Sequence, residues 1–110
     1  MKTYKVRFTE DAFGDLIGIE TSLSSWSGID VAEAWLVGME ATRKSLAQFP
    51  NRASYVPELL ALGIKTFREL LYDSFRVIFR VDGDVVHILI ITHAKRDFSS
   101  ILQERVLGAR

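Results

Sequence analysis

The sequence predicts an α+β domain built from an N-terminal strand, an antiparallel helical hairpin, a three-stranded antiparallel meander and a short C-terminal helix. Three observations carry this reading. Residues 75–81 alternate apolar side chains with Arg76 and Arg80, and residues 85–91 form a nearly unbroken apolar run beyond the turn-forming pair Asp82-Gly83. Upstream, two long stretches repeat apolar residues at steps of three and four, the helical period. The helical patterns are also grouped ahead of the strands instead of alternating with them, which argues against a parallel α/β sheet.

The elements follow in order. From Lys2 to Phe8 the chain alternates, with Tyr4, Val6 and Phe8 on one side and Lys5 and Arg7 on the other, so a first strand is predicted. Thr9 suits a helix N-cap, and Glu10 and Asp11 place negative charge in the first turn, where the macrodipole favours it. Phe13, Leu16, Ile17, Glu20 and Leu23 trace the helix, predicted to end near Thr21 or Leu23, with Gly14 and Gly18 weakening it. A serine-rich connection, 24–28, leads to Asp30 and Glu33, spaced as in a capping box. Val31, Trp35, Met39, Thr42, Leu46 and Phe49 then mark a long second helix that Pro50 ends. Trp26 and Trp35 are read as packing residues of this hairpin. Residues 51–63 read as a loop with a short apolar piece at 59–62.

The meander fixes which side chains share a face, because strand side chains alternate and opposite residues pair. A type I′ turn centred on Asp82-Gly83 places Val81 opposite Asp84, and a second turn at Asp73-Ser74 places Tyr72 opposite Phe75. One face then collects Leu70, Tyr72, Phe75, Val77, Phe79, Val86, Ile88 and Ile90, a core face. The other collects Phe67, Glu69, Leu71, Arg76, Ile78, Arg80, His87, Leu89, Ile91 and His93. Two arginines and two histidines among large apolar groups suggest a binding surface. Arg68 is expected to face the core and to pair with Asp15 or Glu20. For Arg76 a functional contact and an ion pair with Glu69 are both open. After His93, residues 94–97 break the strand, and 99–107 suit a last amphipathic helix with Ile101, Leu102 and Val106 inward.

Composition narrows the function classes. A chain of 110 residues reads as a single domain, 1–110, able to bury roughly 65% of its unfolded surface. It has no cysteine, so disulfides and thiolate metal sites are excluded. Its two histidines lie six residues apart on one strand, too far for one ion, so no metal and no cofactor are expected. The opening is not a signal peptide and no apolar run approaches a membrane span, which points to a cytoplasmic protein without a membrane partner. Net charge is formally zero, against a main role in binding bulk nucleic acid. Residues 1–63 carry six Lys/Arg against eight Asp/Glu, and 64–110 carry eight against six, so the strand half is slightly basic.

The segments YKVRFTEDAFGDL, Leu46 to Pro50, FREL, FRVIFRVDGDVVHILIITH and AKRDFSSIL, in this order and spacing, resemble the RelE/ParE superfamily of bacterial type II toxins, often called plasmid stabilization proteins. The resemblance covers essentially the whole chain. It implies a compact cytoplasmic toxin neutralised by a cognate antitoxin. RelE-like members cleave messenger RNA on the translating ribosome, which requires a base for the ribose 2′-hydroxyl, cations for the phosphate and an acid for the leaving oxygen. Arg76 and Arg96 stand where such enzymes place arginines, and histidine's titration near neutrality makes His93 the acid or base candidate. Glu69 and Leu102, however, stand where they place a lysine and a tyrosine; Lys65, Arg80, His87 or Lys95 are the possible substitutes. ParE-like members are reported to poison DNA gyrase by binding, and the missing lysine and tyrosine lean toward them. The candidate catalytic residues are therefore Arg76, Arg96 and His93. The candidate contacts to target or antitoxin are Phe67, Glu69, Leu71, Ile78, Arg80, His87, Leu89, Ile91 and Lys95. An inactive member that only binds its antitoxin is the third possibility.

Overall fold

The structure, a computed structural model, describes residues 2–107, the side chain of Leu107 apart. Its elements are β1 (Lys5–Phe8), α1 (Glu10–Ser27), α2 (Ile29–Leu46), β2 (Ser54–Tyr55), α3 (Pro57–Leu60), β3 (Phe67–Tyr72), β4 (Phe75–Asp82), β5 (Val85–His93) and α4 (Phe98–Leu102), the last continued by a wide turn over Gln103–Leu107. The α+β prediction holds. The strands form one sheet in the order β1-β5-β4-β3-β2, with β1 parallel to β5 and the other neighbours antiparallel. The short strand β2 and the helical turn α3 lie in the stretch predicted as a loop.

The helical hairpin differs from its prediction in ways that local chemistry explains. Thr9 caps α1 as expected, its hydroxyl accepting from Ala12 N at 3.2 Å. The helix then runs through the serines to Ser27, because serine does not break a helix; Gly28 does, at φ 96°. Gly28 is also the N-cap of α2, so Asp30 sits in the first turn and forms no capping box. The buried side of α1 is Ala12 with Leu16, Ile19 and Leu23, whereas Phe13 and Ile17 are about half exposed, at 52% and 49%. On α2, Trp35, Met39 and Leu46 are buried as predicted, together with Ala32; Val31 is exposed and Phe49 lies beyond the helix end.

Two apolar clusters flank the sheet. Beneath the hairpin lie Val6, Ala12, Trp35, Met39, Leu46, Val77, Phe79, Val86, Ile88 and Ile91. On the outer side Val56, Leu59, Ile78, Ile90, Phe98 and Leu102 form a second cluster, roofed by α3 and α4. The outer face is therefore no open surface at its centre, contrary to the sequence expectation.

A close approach locks the hairpin to the sheet. Tyr72 Oη donates to Trp35 O at 2.8 Å, and its ring packs against the Trp35 indole with centroids 5.6 Å apart. Gly38 makes room for it: a Cβ there would fall inside van der Waals contact of Tyr72 Oη, Cζ and Cε1. Gly38→Ala should therefore lose about 2 kcal/mol of stability by overpacking, even though alanine is the better helix former. Urea denaturation checks this, and Gly38→Ala combined with Tyr72→Phe, which removes the clashing oxygen, should recover part of the loss.

Candidate functional site

The meander is bent by one extra residue. From Asp82↔Val85 to Phe79↔Ile88 the β4–β5 pairing keeps one register, and from Ile78↔Ile90 to Phe75↔His93 it keeps another. Leu89 is the bulged residue. The hairpin turn is also displaced from its predicted place: Asp82 pairs with Val85, so Gly83-Asp84 are the central residues. Gly83 has φ 60°, as a type II′ turn requires of its first central position. The displaced turn leaves the predicted faces intact, because it moves the pairing by two residues. The bulge does not. Beyond it, Ile90 joins the outer cluster, whereas Ile91 and His93 turn to the hairpin side, where the His93 ring meets Phe75 at 5.4 Å.

Arg76 stays on the outer side and is fully engaged. Its Nε and Nη2 donate to Glu69 Oε1 at 2.9 and 2.6 Å, and its Nη1 and Nη2 donate to Glu58 Oε2 and Oε1 at 3.0 and 2.8 Å. The guanidinium carbon lies 3.8 Å from the centre of the Phe98 ring. Glu58 comes from α3, Glu69 from β3 and Phe98 from α4, so three elements close around one side chain that is 9% exposed. Both partners raise its affinity for the proton, Glu58 more than Glu69, and its hydrogen bonds hold the Glu58 carboxyl below the usual carboxylate range. The pairing of Arg76 with Glu69 was one of the two sequence possibilities. Glu58 was not legible, because its segment read as a loop, although Pro57 is a natural first residue of a helix.

His93 and Arg96 line a groove of about 550 Å³ on the other side of the sheet. Gly14, Gly18, Ser22 and Trp26 of α1 form one wall; Phe75, Ile91 and Thr92 face it, and Ile101, Glu104 and Arg105 close the end. Two side chains knit that end together by three hydrogen bonds. Asp15 Oδ2 accepts from Ile91 N at 3.0 Å, Arg105 Nη2 donates to Asp15 Oδ1, and Arg105 Nη1 donates to Leu89 O at 3.0 Å. The backbone groups so satisfied lie at and next to the bulge. Asp15 thus serves Arg105 and not Arg68, which instead donates to Ala53 O and Tyr55 Oη on the β2 side.

The three catalytic candidates are therefore divided by the sheet, Arg76 outside and His93 with Arg96 inside. His93 and Arg96 thus lie together in the groove, apart from Arg76.

The profile of a family described as "ParE toxin of type II toxin-antitoxin system, parDE" matches residues 6–98. The chain belongs to the ParE toxin family. Among solved structures it is similar to a chain of the chromosomal ParDE toxin–antitoxin system from P. aeruginosa, at 24% identity and TM-score 0.69, over 83% of this chain and 96% of that one. It is also similar to a chain of the RelBE2 toxin–antitoxin complex from Mycobacterium tuberculosis, at 23% identity and TM-score 0.59, over 84% of this chain and 93% of that one. A search of curated proteins finds no match.

In this ParE-family toxin the remaining contact candidates fall into three groups. Ile78 and Ile91 are buried in the two clusters and present nothing to a partner, and Glu69 is spent on Arg76. Phe67, Arg80, His87 and Leu89 are partly exposed on the outer face, Phe67 and Leu89 packing against the edge of its cluster. Leu71, 67% exposed, and Lys95 stand free at the sheet's other end. Arg7, missed in the sequence reading, joins the group of Arg80 and His87: it pairs across β1–β5 with His87. Its place on the charged side of β1 was legible, but its neighbour across the sheet was not.

Proposed function

We propose that this chain is the toxin of a type II module, that it acts in the cytoplasm by binding a macromolecular target, and that a cognate antitoxin neutralises it. The target is DNA gyrase, as the resemblance to gyrase-directed members implies. Membership of the ParE family and likeness to chains of toxin–antitoxin complexes support the toxin and antitoxin parts. The engagement of Arg76 is the observation that favours binding over cleavage. An arginine already giving four hydrogen bonds to two carboxylates, under a phenyl ring, cannot take up a scissile phosphate without breaking a fully satisfied buried network.

Induction of the protein alone in bacteria tests the reading. Growth arrest, altered DNA supercoiling and a DNA-damage response are expected, with no new transcript 5′ ends inside translated frames. New ends inside frames, with supercoiling intact, would replace this reading by ribosome-dependent RNA cleavage. Growth without arrest would mark an antitoxin-binding member without a target.

A further inference from the structure

Two arginines and a histidine stand together on the open half of the outer face. Arg7, His87 and Arg80 lie in one line across three strands, paired Arg7↔His87 and His87↔Arg80. Neighbouring strands are about 4.8 Å apart, so the two arginines stand astride the imidazole with backbones about 10 Å apart, within reach of one small group above the ring. Arg43 pairs with Glu40, Arg76 with Glu58 and Glu69, and Arg105 with Asp15, whereas Arg52 stacks on Phe49 and Arg68 donates to Ala53 O and Tyr55 Oη. Among the described residues, neither Arg7 nor Arg80 has a carboxylate within 4 Å. Arg80 Nε is buried without a hydrogen-bond partner. That is an arginine set among its neighbours with a donor still unspent.

His87 completes the set. Arg7 Nη1 lies 3.3 Å from Nδ1; because an arginine can only donate, Nδ1 is the acceptor and the neutral ring carries its proton on Nε2. The carboxylate nearest that atom, Asp82, is 3.9 Å away, beyond hydrogen-bond length. Burial lowers the affinity of His87 for a second proton, Arg80 and then Arg7 lower it further, and Asp82 alone opposes them. The row therefore offers two cations and one neutral N–H donor converging from three strands.

We propose that Arg7, His87 and Arg80 bind a phosphate group carried by a ligand of this protein. The chemistry favours phosphate over carboxylate. A carboxylate presents its two oxygens in one plane, whereas a phosphate offers oxygens in three directions to donors on three neighbouring strands. This goes beyond the reading of a gyrase-directed toxin, because the phosphate belongs to a nucleic acid or nucleotide and not to the protein target itself. The phosphate comes either from a nucleic-acid backbone or from a free nucleotide.

Binding by the purified protein of a fluorescein-labelled thymidine dodecamer and of thymidine 5′-monophosphate tests the proposal, with poly-glutamate as a comparison. At least one phosphate probe should bind and raise the His87 pKa, read from its ring proton resonances. Arg7→Gln and Arg80→Gln should each weaken that binding about tenfold or more. Arg80→Lys, which keeps the charge, should weaken it less, and Lys44→Gln, which removes the same charge from α2, should leave it unchanged. Binding of the dodecamer alone identifies a strand backbone, and its salt slope should then fall by about 0.7 for each lost contact. Equal binding of the monophosphate identifies a nucleotide. Failure of both phosphate probes, indifference to both glutamine variants, or preference for poly-glutamate would overturn the proposal. A toxin that arrests growth without binding phosphate would keep the functional reading and reject only this site; phosphate binding without growth arrest would do the reverse.

Discussion

Arg76→Ala should lower the unfolding free energy by about 3 kcal/mol, among the largest effects of any single substitution in this chain. The alanine leaves Glu69 nearly enclosed, with Glu58 beside it and no cation between them, and removing one partner of a buried ion pair costs about 3–5 kcal/mol. The lower end applies because the Glu58 side chain is 39% exposed and water relieves part of its burden. The stacking of the guanidinium on Phe98 is lost as well, loosening α4 from the sheet. Guanidinium denaturation of wild type, Arg76→Ala and Arg76→Lys should rank them in the order wild type, lysine, alanine. A change within 0.5 kcal/mol, about the size of an ordinary surface substitution, would mean that the network contributes nothing to the fold.

The pH dependence of this loss has a definite sign. Arg76 depresses the Glu58 pKa, so the stabilisation is full above the ordinary glutamate value and disappears as pH falls through the lowered one. Acid should therefore weaken the wild type more than Arg76→Ala, and the two denaturation midpoints should converge toward low pH.

Asp15→Ala should cost about 2–4 kcal/mol and act at a distance along the chain. One carboxylate from α1 accepts the Ile91 amide and pairs with Arg105, which in turn holds the Leu89 carbonyl. Its removal strands a backbone donor and a guanidinium, both largely enclosed by the fold. The effect should be local as well as global. Hydrogen exchange should accelerate in residues 98–106, because their tie to the sheet edge is gone, while the amides of β3 and β4 keep their relative protection. Asp15→Asn retains an acceptor for Ile91 and loses only the ion pair, so it should cost less than half as much.

The fold was legible because its signals are local and strong. Alternation in β1 and β4, the unbroken apolar run of β5 and the three- and four-residue steps of α2 each report a single element. The errors have one origin in common, that a chain records its neighbours in sequence and not those in space. Serines 24, 25 and 27 look like a connection, yet they neither forbid nor demand a helix, and Gly28 decides the boundary. Ser54 and Tyr55 are too few to show a period, and only their pairing with Arg68 and Glu69 makes them a strand. The candidate site was harder. Arg76 and its pairing with Glu69 followed from strand register, but Glu58 arrives from a segment read as structureless, and Phe98 from beyond the last strand. Nothing in the apolar run of β5 distinguishes Leu89 from its neighbours, so the bulge could not be anticipated.

That bulge bears on how functional labels pass between relatives. A residue-by-residue alignment without a gap places His93 in the same column as a histidine of any homologue with the same number of strand residues, whether or not that homologue's strand bulges. In a relative whose strand is regular, the aligned histidine emerges on the side of the sheet that Arg76 occupies here; in this chain it emerges on the side of α1. An enzyme and a binder could thus share every letter of the column and differ in which solvent that side chain meets. Deleting Leu89 would make the strand regular yet leave the histidine on the α1 side, because the residues on either flank already alternate without it. Within this superfamily, the residue of the neighbouring strand with which the histidine pairs, Phe75 here, is therefore a more informative character than the histidine itself.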